Sequence, residues 1–420
     1  MIRGVYSLLA VAAQPFVRAK LKRRGVAEPG YLQAVEERFG SYEHPARPGA
    51  IWIHAVSLGE TRAAAILVRE LRKLEPDVRI LLTHGTATGR AEGERILRDG
   101  DMQAWLPWDT VHAVRKFLNH FQPRIGVLME TEVWPNLVAE AKAHGTPLVL
   151  ANARMSGKSL KQTLRLAGLA RPAYAALTAV WAQTDADAKR FAQAGATVKG
   201  VFGNLKFDAA PDEAQLAQGR AWRAALAKPV VMFASSREGE EGQFFGAIRE
   251  MPDRKGTRWL VVPRHPQRFD EVAALAAAAG FTVSRRSAWT SGPDAADVWI
   301  GDSLGEMALY YGMSDVALLG GSFEKLGGQN LIEAAACGCP VVMGPHTFNF
   351  AEAAELAEEA GAALRVGSMA QGVARACAMA GAAGGTREAS RAALDFFAAH
   401  QGAAHRTAQA IRAIAGPAIG

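Results

Sequence analysis

From residue 51 onward, short β-rich apolar runs alternate with stretches whose apolar positions recur at helical spacing. The first series of runs falls at 51–57, 78–83, 104–108, 125–130, 147–151 and 180–184. A second series falls at 230–235, 259–262, 282–284, 298–301, 316–319 and 340–343. Strands that alternate with helices imply βαβ units and a parallel sheet, so the pattern predicts two doubly wound α/β domains. Between the series, Asn204, Asp208, Pro211 and Asp212 interrupt the periodicity, which puts an interdomain linker at 203–215. The last helical stretch, 387–415, has no strand after it and is expected to pack back across the first domain. Ligands of such sheets bind beyond the carboxyl ends of the strands, so polar residues that follow the apolar runs are the candidates for chemistry.

The amino terminus breaks this pattern. Residues 4–17 are largely apolar and are followed by Arg18, Lys20, Lys22, Arg23 and Arg24. A spanning helix needs about 20 apolar residues, and this run is shorter and holds Gln14 and Pro15. A signal peptide carries its positive charge before the apolar stretch and not after it. The segment therefore reads as an interfacial anchor with its basic cluster among anionic headgroups; a helix packed on the first domain is the competing reading.

Composition adds limits. At 420 residues the chain exceeds the size at which one core stops growing, in keeping with two domains. A net charge of +7 and a pI near 9.4 favour anionic partners. The three cysteines, Cys337, Cys339 and Cys377, form neither a disulfide framework nor a zinc-ligand spacing. No metal site and no cofactor are expected. No nucleic-acid module or interleaving of aromatic and basic residues accompanies the charge, so nucleic acid is not an expected partner.

The first apolar run ends Ile-His-Ala-Val-Ser-Leu-Gly-Glu, which puts Glu60 at a strand-to-helix turn. A carboxylate there can remove a proton from a bound hydroxyl, or it can simply complement the following helix dipole. The fourth run ends Met-Glu-Thr-Glu-Val-Trp-Pro-Asn, and in a strand Glu130 and Glu132 share a face and together could grip sugar hydroxyls. Lys206 in the linker can meet an anionic donor. Ser235, Ser236 and Arg237 open the second domain as a phosphate or carboxylate site, unless Arg237 pairs with Glu240 or Glu241 on the helix surface. Arg264 and His265 sit between two prolines that stiffen the turn and are read as binding residues. Gly320 and Gly321 let backbone approach a ligand, Ser322 can donate to it, and a helix is expected to start near Gln329 and Asn330, with Glu333 placed to accept from ribose hydroxyls.

Taken together, 57–60, 130–137, 152–156, 203–208, 263–266 and 320–333 resemble, in order and over nearly the whole chain, the 3-deoxy-D-manno-octulosonic acid (Kdo) transferases. The resemblance implies a GT-B glycosyltransferase fold, two Rossmann-like domains with an interdomain cleft. It implies inverting, metal-independent transfer of Kdo from CMP-Kdo, a substrate and not a cofactor, to the distal glucosamine of the lipid A precursor in lipopolysaccharide assembly. Glu60 matches the family's general base. Glu130 and Glu132 are then acceptor-binding. Lys206, Ser235, Ser236, Arg237, Arg264, His265, Gly320, Gly321, Ser322, Asn330 and Glu333 are donor-binding. Ser303 and Met307 stand where family members commonly have Thr and Leu, mild departures in a segment expected to border the nucleotide.

The expected organisation is a membrane-associating segment at 1–25, an acceptor domain at 26–208, a nucleotide-sugar domain at 209–390 and a returning helix at 391–420. The expected location is the cytoplasmic face of the inner membrane. The alternatives are another nucleotide-sugar transferase or an epimerase of the same architecture, and a non-catalytic protein that binds anionic ligands. The absence of a GxGxxG after the first strand, where the chain reads Ser-Leu-Gly-Glu-Thr-Arg, weighs against hydride transfer.

Overall fold

The computed structural model describes residues 2–43, 45–382 and 386–416. The chain divides into two units, Met1–Asp208 with Gln401–Gly420, and Ala209–His400. The first holds β1 (Ile51–His54), β2 (Ile80–His84), β3 (Met102–Trp105), β4 (Ile125–Met129), β5 (Leu148–Ala153), β6 (Ala179–Ala182) and β7 (Val198–Val201). All pair in parallel, in the order β3-β2-β1-β4-β5-β6-β7. Every residue of β1, β2, β4, β5 and β6 is buried, because helices cover both faces of the sheet. The core on one side gathers Trp52, Phe117, Phe121, Leu128 and Leu150.

The second unit holds β8 (Val230–Ser236), β9 (Arg258–Pro263), β10 (Val283–Arg285), β11 (Val298–Ile300), β12 (Val316–Leu319), β13 (Val341–Met343) and β14 (Ala363–Arg365). They too pair in parallel, in the order β10-β11-β9-β8-β12-β13-β14. Phe233, Phe244, Trp259 and Val261 anchor its core. Each chain path starts in the middle of its sheet and later crosses to the other side. The switch points lie between β1 and β4 and between β8 and β12, where a doubly wound sheet leaves a crevice at its carboxyl edge.

Two strands escape the sequence pattern. β7 alternates half-buried and exposed residues and includes Lys199 and Gly200, and β14 has three residues; both are edge strands. The expected single helix at 387–415 is two helices, Arg387–Ala399 and Ala403–Ala415, broken at His400 and at Gly402, whose φ is +92°. Only the second belongs to the first unit, so the return begins at Gln401 and not at 391. Its small buried face of Ala403, Ala404, Thr407, Ala408 and Ile411 packs on the helix Leu58–Leu74.

Asp208 closes the return. Its carboxylate accepts from the backbone N–H of Gly402 at 2.5 Å and of Ala404 at 2.6 Å. Replacing it by alanine removes charged acceptors worth about 2–3 kcal/mol. The Asp208→Ala variant should therefore lower the Tm of the first unit by roughly 5–10 °C, as measured by calorimetry. An unchanged transition would show that the return is held by packing alone.

Candidate active site

At the switch point of the first sheet, β1 runs through Ala55 and Val56 into the helix Leu58–Leu74. Ser57 is its N-cap and accepts from the Glu60 backbone N–H at 3.4 Å. The Glu60 carboxylate reaches back, accepting from the Val56 backbone N–H at 2.9 Å and the Ser57 hydroxyl at 3.2 Å. This reciprocal arrangement is a variant of the capping box, so the helix-complementing role foreseen for Glu60 is present. It does not exhaust the residue. Burial pushes the carboxyl up, the Val56 N–H pulls it down, Glu130 and Glu132 push it up again, and it settles at about 7. Capping fixes where Glu60 sits, while desolvation and like charge make it a base near neutrality.

Beneath this turn lie two histidines that the sequence reading passed over. The Gln103 amide donates to His84 Nε2 at 3.0 Å, which leaves Nδ1–H to donate to the Ala55 carbonyl at 3.1 Å. The Thr61 hydroxyl donates to the Ser57 carbonyl at 2.9 Å. Burial brings His84 down to about 4 and His54 to about 3, so both are neutral and act as fixed dipoles under the turn. Their signal was their place at the ends of apolar runs.

Glu130 and Glu132 do not share a strand face. β4 ends at Met129, and Glu130 takes φ +58°, a left-handed conformation, so strand alternation does not hold across the pair. Glu130 pairs with Arg154 at 3.1 Å, and Glu132 accepts from the Trp134 indole at 2.7 Å. Both carboxylates nonetheless act on Glu60. Glu132 itself is pushed up, chiefly by burial. Farther along the edge, Lys206 lies in the short turn Leu205–Asp208, tied to the end of β5 by the Asn152 side chain, which accepts from the Leu205 N–H at 3.0 Å.

At the switch point of the second sheet, β8 ends at Ser235 and Ser236, and β12 runs into Gly320–Ser322. Ser235 is half-buried with φ +55°. Arg237 keeps a quarter of its side chain exposed and meets Glu238 at 3.0 Å, not Glu240 or Glu241, which are buried. Arg264 bonds Gln329 at 3.2 Å. Beside it, His265 is pushed below its usual range, first by burial and then by Arg237, with Arg264 and Arg268 adding to the effect. An anion would relieve that cationic crowding.

Other expected ligand groups are committed within the protein. Ser236 donates to Glu241 at 2.9 Å, and Ser322, fully buried, donates to the Leu319 carbonyl at 2.5 Å and accepts from the Gly344 N–H at 2.8 Å. Neither hydroxyl is available as a donor to a ligand. A Cβ on Gly320 would run into the Ser235 carbonyl, so its glycine serves the approach of two strand ends and not of a ligand. Asn330 caps the helix Leu331–Ala336, and Glu333 is exposed in its first turn. The sequence reading missed the segment Gly-Pro-His-Thr-Phe-Asn-Phe after β13. Asn349 bonds the backbone of Leu326 and Gly327 at 2.9 Å each, and Phe348 stands 62% exposed beside them.

A protein-family profile described as 3-Deoxy-D-manno-octulosonic-acid transferase (kdotransferase) matches residues 33–209. The 3-deoxy-D-manno-octulosonic acid transferase of Bordetella pertussis is 48% identical over 425 residues, spanning 98% of this chain and 99% of the relative. The enzyme of the same name from Haemophilus influenzae is 33% identical over 383 residues, 90% of each. Among solved structures, a glycosyltransferase from Rickettsia africae superposes with a TM-score of 0.58 at 13% identity, covering 88% of this chain and 99% of that one. A UDP-GlcNAc 2-epimerase from Neisseria meningitidis gives 0.56 at 13% identity, covering 87% and 99%. At that identity the two structures speak to the fold.

The raised Glu60 carboxyl has a consequence for stability. Its folded value lies above the unfolded one, so the protonated form stabilises the protein below the unfolded value, and that contribution is lost as pH rises through about 7. Glu60→Gln, which stays neutral, should have a higher Tm than the wild type at pH 8, with the gap closing by pH 5. A gap that is the same at both pH values would contradict the desolvated carboxylate.

Proposed function

The chain belongs to the 3-deoxy-D-manno-octulosonic acid transferase family, and from that premise we propose that it moves Kdo from CMP-Kdo to the lipid A precursor. It is a glycosyltransferase. In the proposed reaction Glu60 takes the proton from the primary 6′-hydroxyl of the acceptor's distal glucosamine. The oxygen forms its bond to the anomeric carbon of Kdo while the bond from that carbon to the CMP phosphate breaks, and CMP leaves with the electron pair. Attack opposite the leaving group inverts the centre, through a transition state with oxocarbenium character.

The observation that carries this reading is the Glu60 carboxyl at about 7, held at the switch point of the first sheet. A base poised near the working pH combines correct ionisation with driving force for proton transfer. Glu130 and Glu132 contribute by raising it and by offering oxygen acceptors to the sugar. On the donor side the proposed contacts are Lys206, Arg237, Arg264 and His265, with Ser235, Gly321, Asn330 and Glu333. Preorganised cations stabilise the departing CMP and the Kdo carboxylate as charge shifts, a role that needs no metal ion.

We place the enzyme at the cytoplasmic face of the inner membrane. The helix Ile2–Ala12 turns its polar side to the protein: Tyr6 donates to Asp109 at 2.7 Å and Ser7 to Asn136 at 2.9 Å. Its outward face carries Ile2, Val5, Leu8, Leu9 and Val11, each more than half exposed. Lys20, Lys22, Arg23 and Arg24 follow, exposed, on the helix Gln14–Ala27. No described helix is long and apolar enough to cross a membrane. Apolar side chains outward with cations beside them suit the headgroup boundary of an anionic bilayer.

Two measurements test this. With CMP-Kdo generated in situ and a tetraacylated lipid A precursor in detergent, product mass should report Kdo addition, in the presence of a chelator as well. Glu60→Ala should lose about 100- to 10,000-fold in kcat, and the wild-type rate should rise with pH through about 7 before levelling. No product from the wild type would overturn the donor and acceptor; an active variant would remove Glu60 from its role. Separately, the protein should float with phosphatidylglycerol vesicles, less so at high salt, and Leu8→Glu with Leu9→Glu should abolish flotation. Flotation unaffected by both changes would contradict the membrane face.

A further inference from the structure

Glu240 has no part in the chemistry above, yet it is completely buried at the start of the helix Glu240–Arg249. Its carboxylate accepts four backbone N–H bonds. One oxygen takes Gly321 at 2.7 Å and Arg237 at 3.1 Å; the other takes Phe323 at 3.0 Å and Glu324 at 3.3 Å. An ionised carboxylate offers about four lone-pair sites, so each of its acceptor positions has a donor. Burial raises the carboxyl above its usual range, and the four N–H groups offset only part of that rise. No acceptor position is left over for a substrate proton.

The donors come from both strand ends at the switch point. Arg237 follows β8, and Gly321, Phe323 and Glu324 follow β12. The carboxylate therefore fixes the peptide that carries the Arg237 guanidinium relative to the glycine turn. The two segments are close: a Cβ on Gly321 would lie 3.7 Å from Arg237 Cγ. From the same helix the exposed Gln243 side chain also donates to the Glu324 carboxylate, at 2.6 Å, while the Ser322 hydroxyl faces Leu319 and Gly344.

We infer that Glu240 is a positioning residue for the activated-sugar donor, its carboxylate clamping the Gly321–Glu324 turn and Arg237 in the arrangement that receives the nucleotide end. This rests on the donor assignment proposed above. Glu240→Gln keeps the volume but turns an NH2 group toward backbone N–H groups, so the clamp opens on one side.

The test compares CMP binding by calorimetry, and the KM for each substrate, in the wild type, Glu240→Gln and Asp315→Asn. Asp315 accepts from the Val230 N–H at 2.8 Å and Arg223 at 2.7 Å near the starts of β8 and β12, away from the donor turn, and serves as a control for general loss of stability in the same unit. Glu240→Gln should weaken CMP and raise the donor KM by about tenfold, the effect of losing one net charged hydrogen bond, with the acceptor KM unchanged. Asp315→Asn should lower Tm while CMP affinity holds.

Equal CMP affinity in wild type and Glu240→Gln overturns the positioning role, as does equal weakening in both variants. A wild type that binds no CMP overturns the donor assignment itself, and the clamp with it. Should Glu240→Gln fail to fold, hydrogen exchange on the wild type decides. Slow exchange at Gly321, Phe323 and Glu324 without nucleotide supports the clamp; fast exchange that slows only with CMP contradicts it.

Discussion

The supply of backbone N–H groups at the carboxyl edge of a parallel sheet is the constraint on which both candidate sites depend. Strand ends and helix starts leave donors there without partners in regular structure, and carboxylates placed among them are held in position. Glu60 and Glu240 each stand in the first turn of the helix that follows the first strand of a sheet. Glu240 collects four N–H donors. Glu60 collects one N–H and one hydroxyl, and faces two other carboxylates. Burial raises both carboxyls, but the same residue type at a matching place is surrounded by backbone donors in one unit and faces other carboxylates in the other.

The rest of the first unit supports that difference. The His84 and Gln103 pair holds the Ala55 carbonyl, and Thr61 holds that of Ser57, so the turn presenting Glu60 is braced from below by neutral groups that leave its ionisation to its neighbours. The returning helix packs on the helix that Glu60 caps, and Asp208 pins that return. At the amino terminus the usual sidedness is reversed, with Tyr6 and Ser7 turned inward and leucines outward. Water alone does not favour that arrangement, and a bilayer surface does.

Much of this was legible in the sequence because a parallel sheet covered on both faces writes itself as continuous apolar runs. Twelve such runs mark twelve of the strands. β7 and β14 were not legible, since short edge strands with polar residues carry little hydrophobic signal. Glu60 and Arg237 could be singled out by place, directly after apolar runs. Side-chain partners could not: the left-handed turn at Glu130 ended the strand alternation and left Glu130 with Arg154 and Glu132 with Trp134, and the buried bonds of Ser236 and Ser322 withdrew hydroxyls that composition offered to a ligand. Glu240 looked like a surface partner for Arg237 because nothing local tells that a first-turn glutamate is covered by a loop eighty residues away.

The most direct test of the central claim, that burial and two neighbouring carboxylates make Glu60 a base poised near neutrality, is a titration of glutamate carboxyl carbons by NMR on 13C-labelled protein, with Glu60→Gln to assign the signal. A midpoint near 7 that falls when Glu130→Gln and Glu132→Gln are introduced is the expected result. A midpoint in the ordinary carboxylate range, unmoved by those changes, would contradict it.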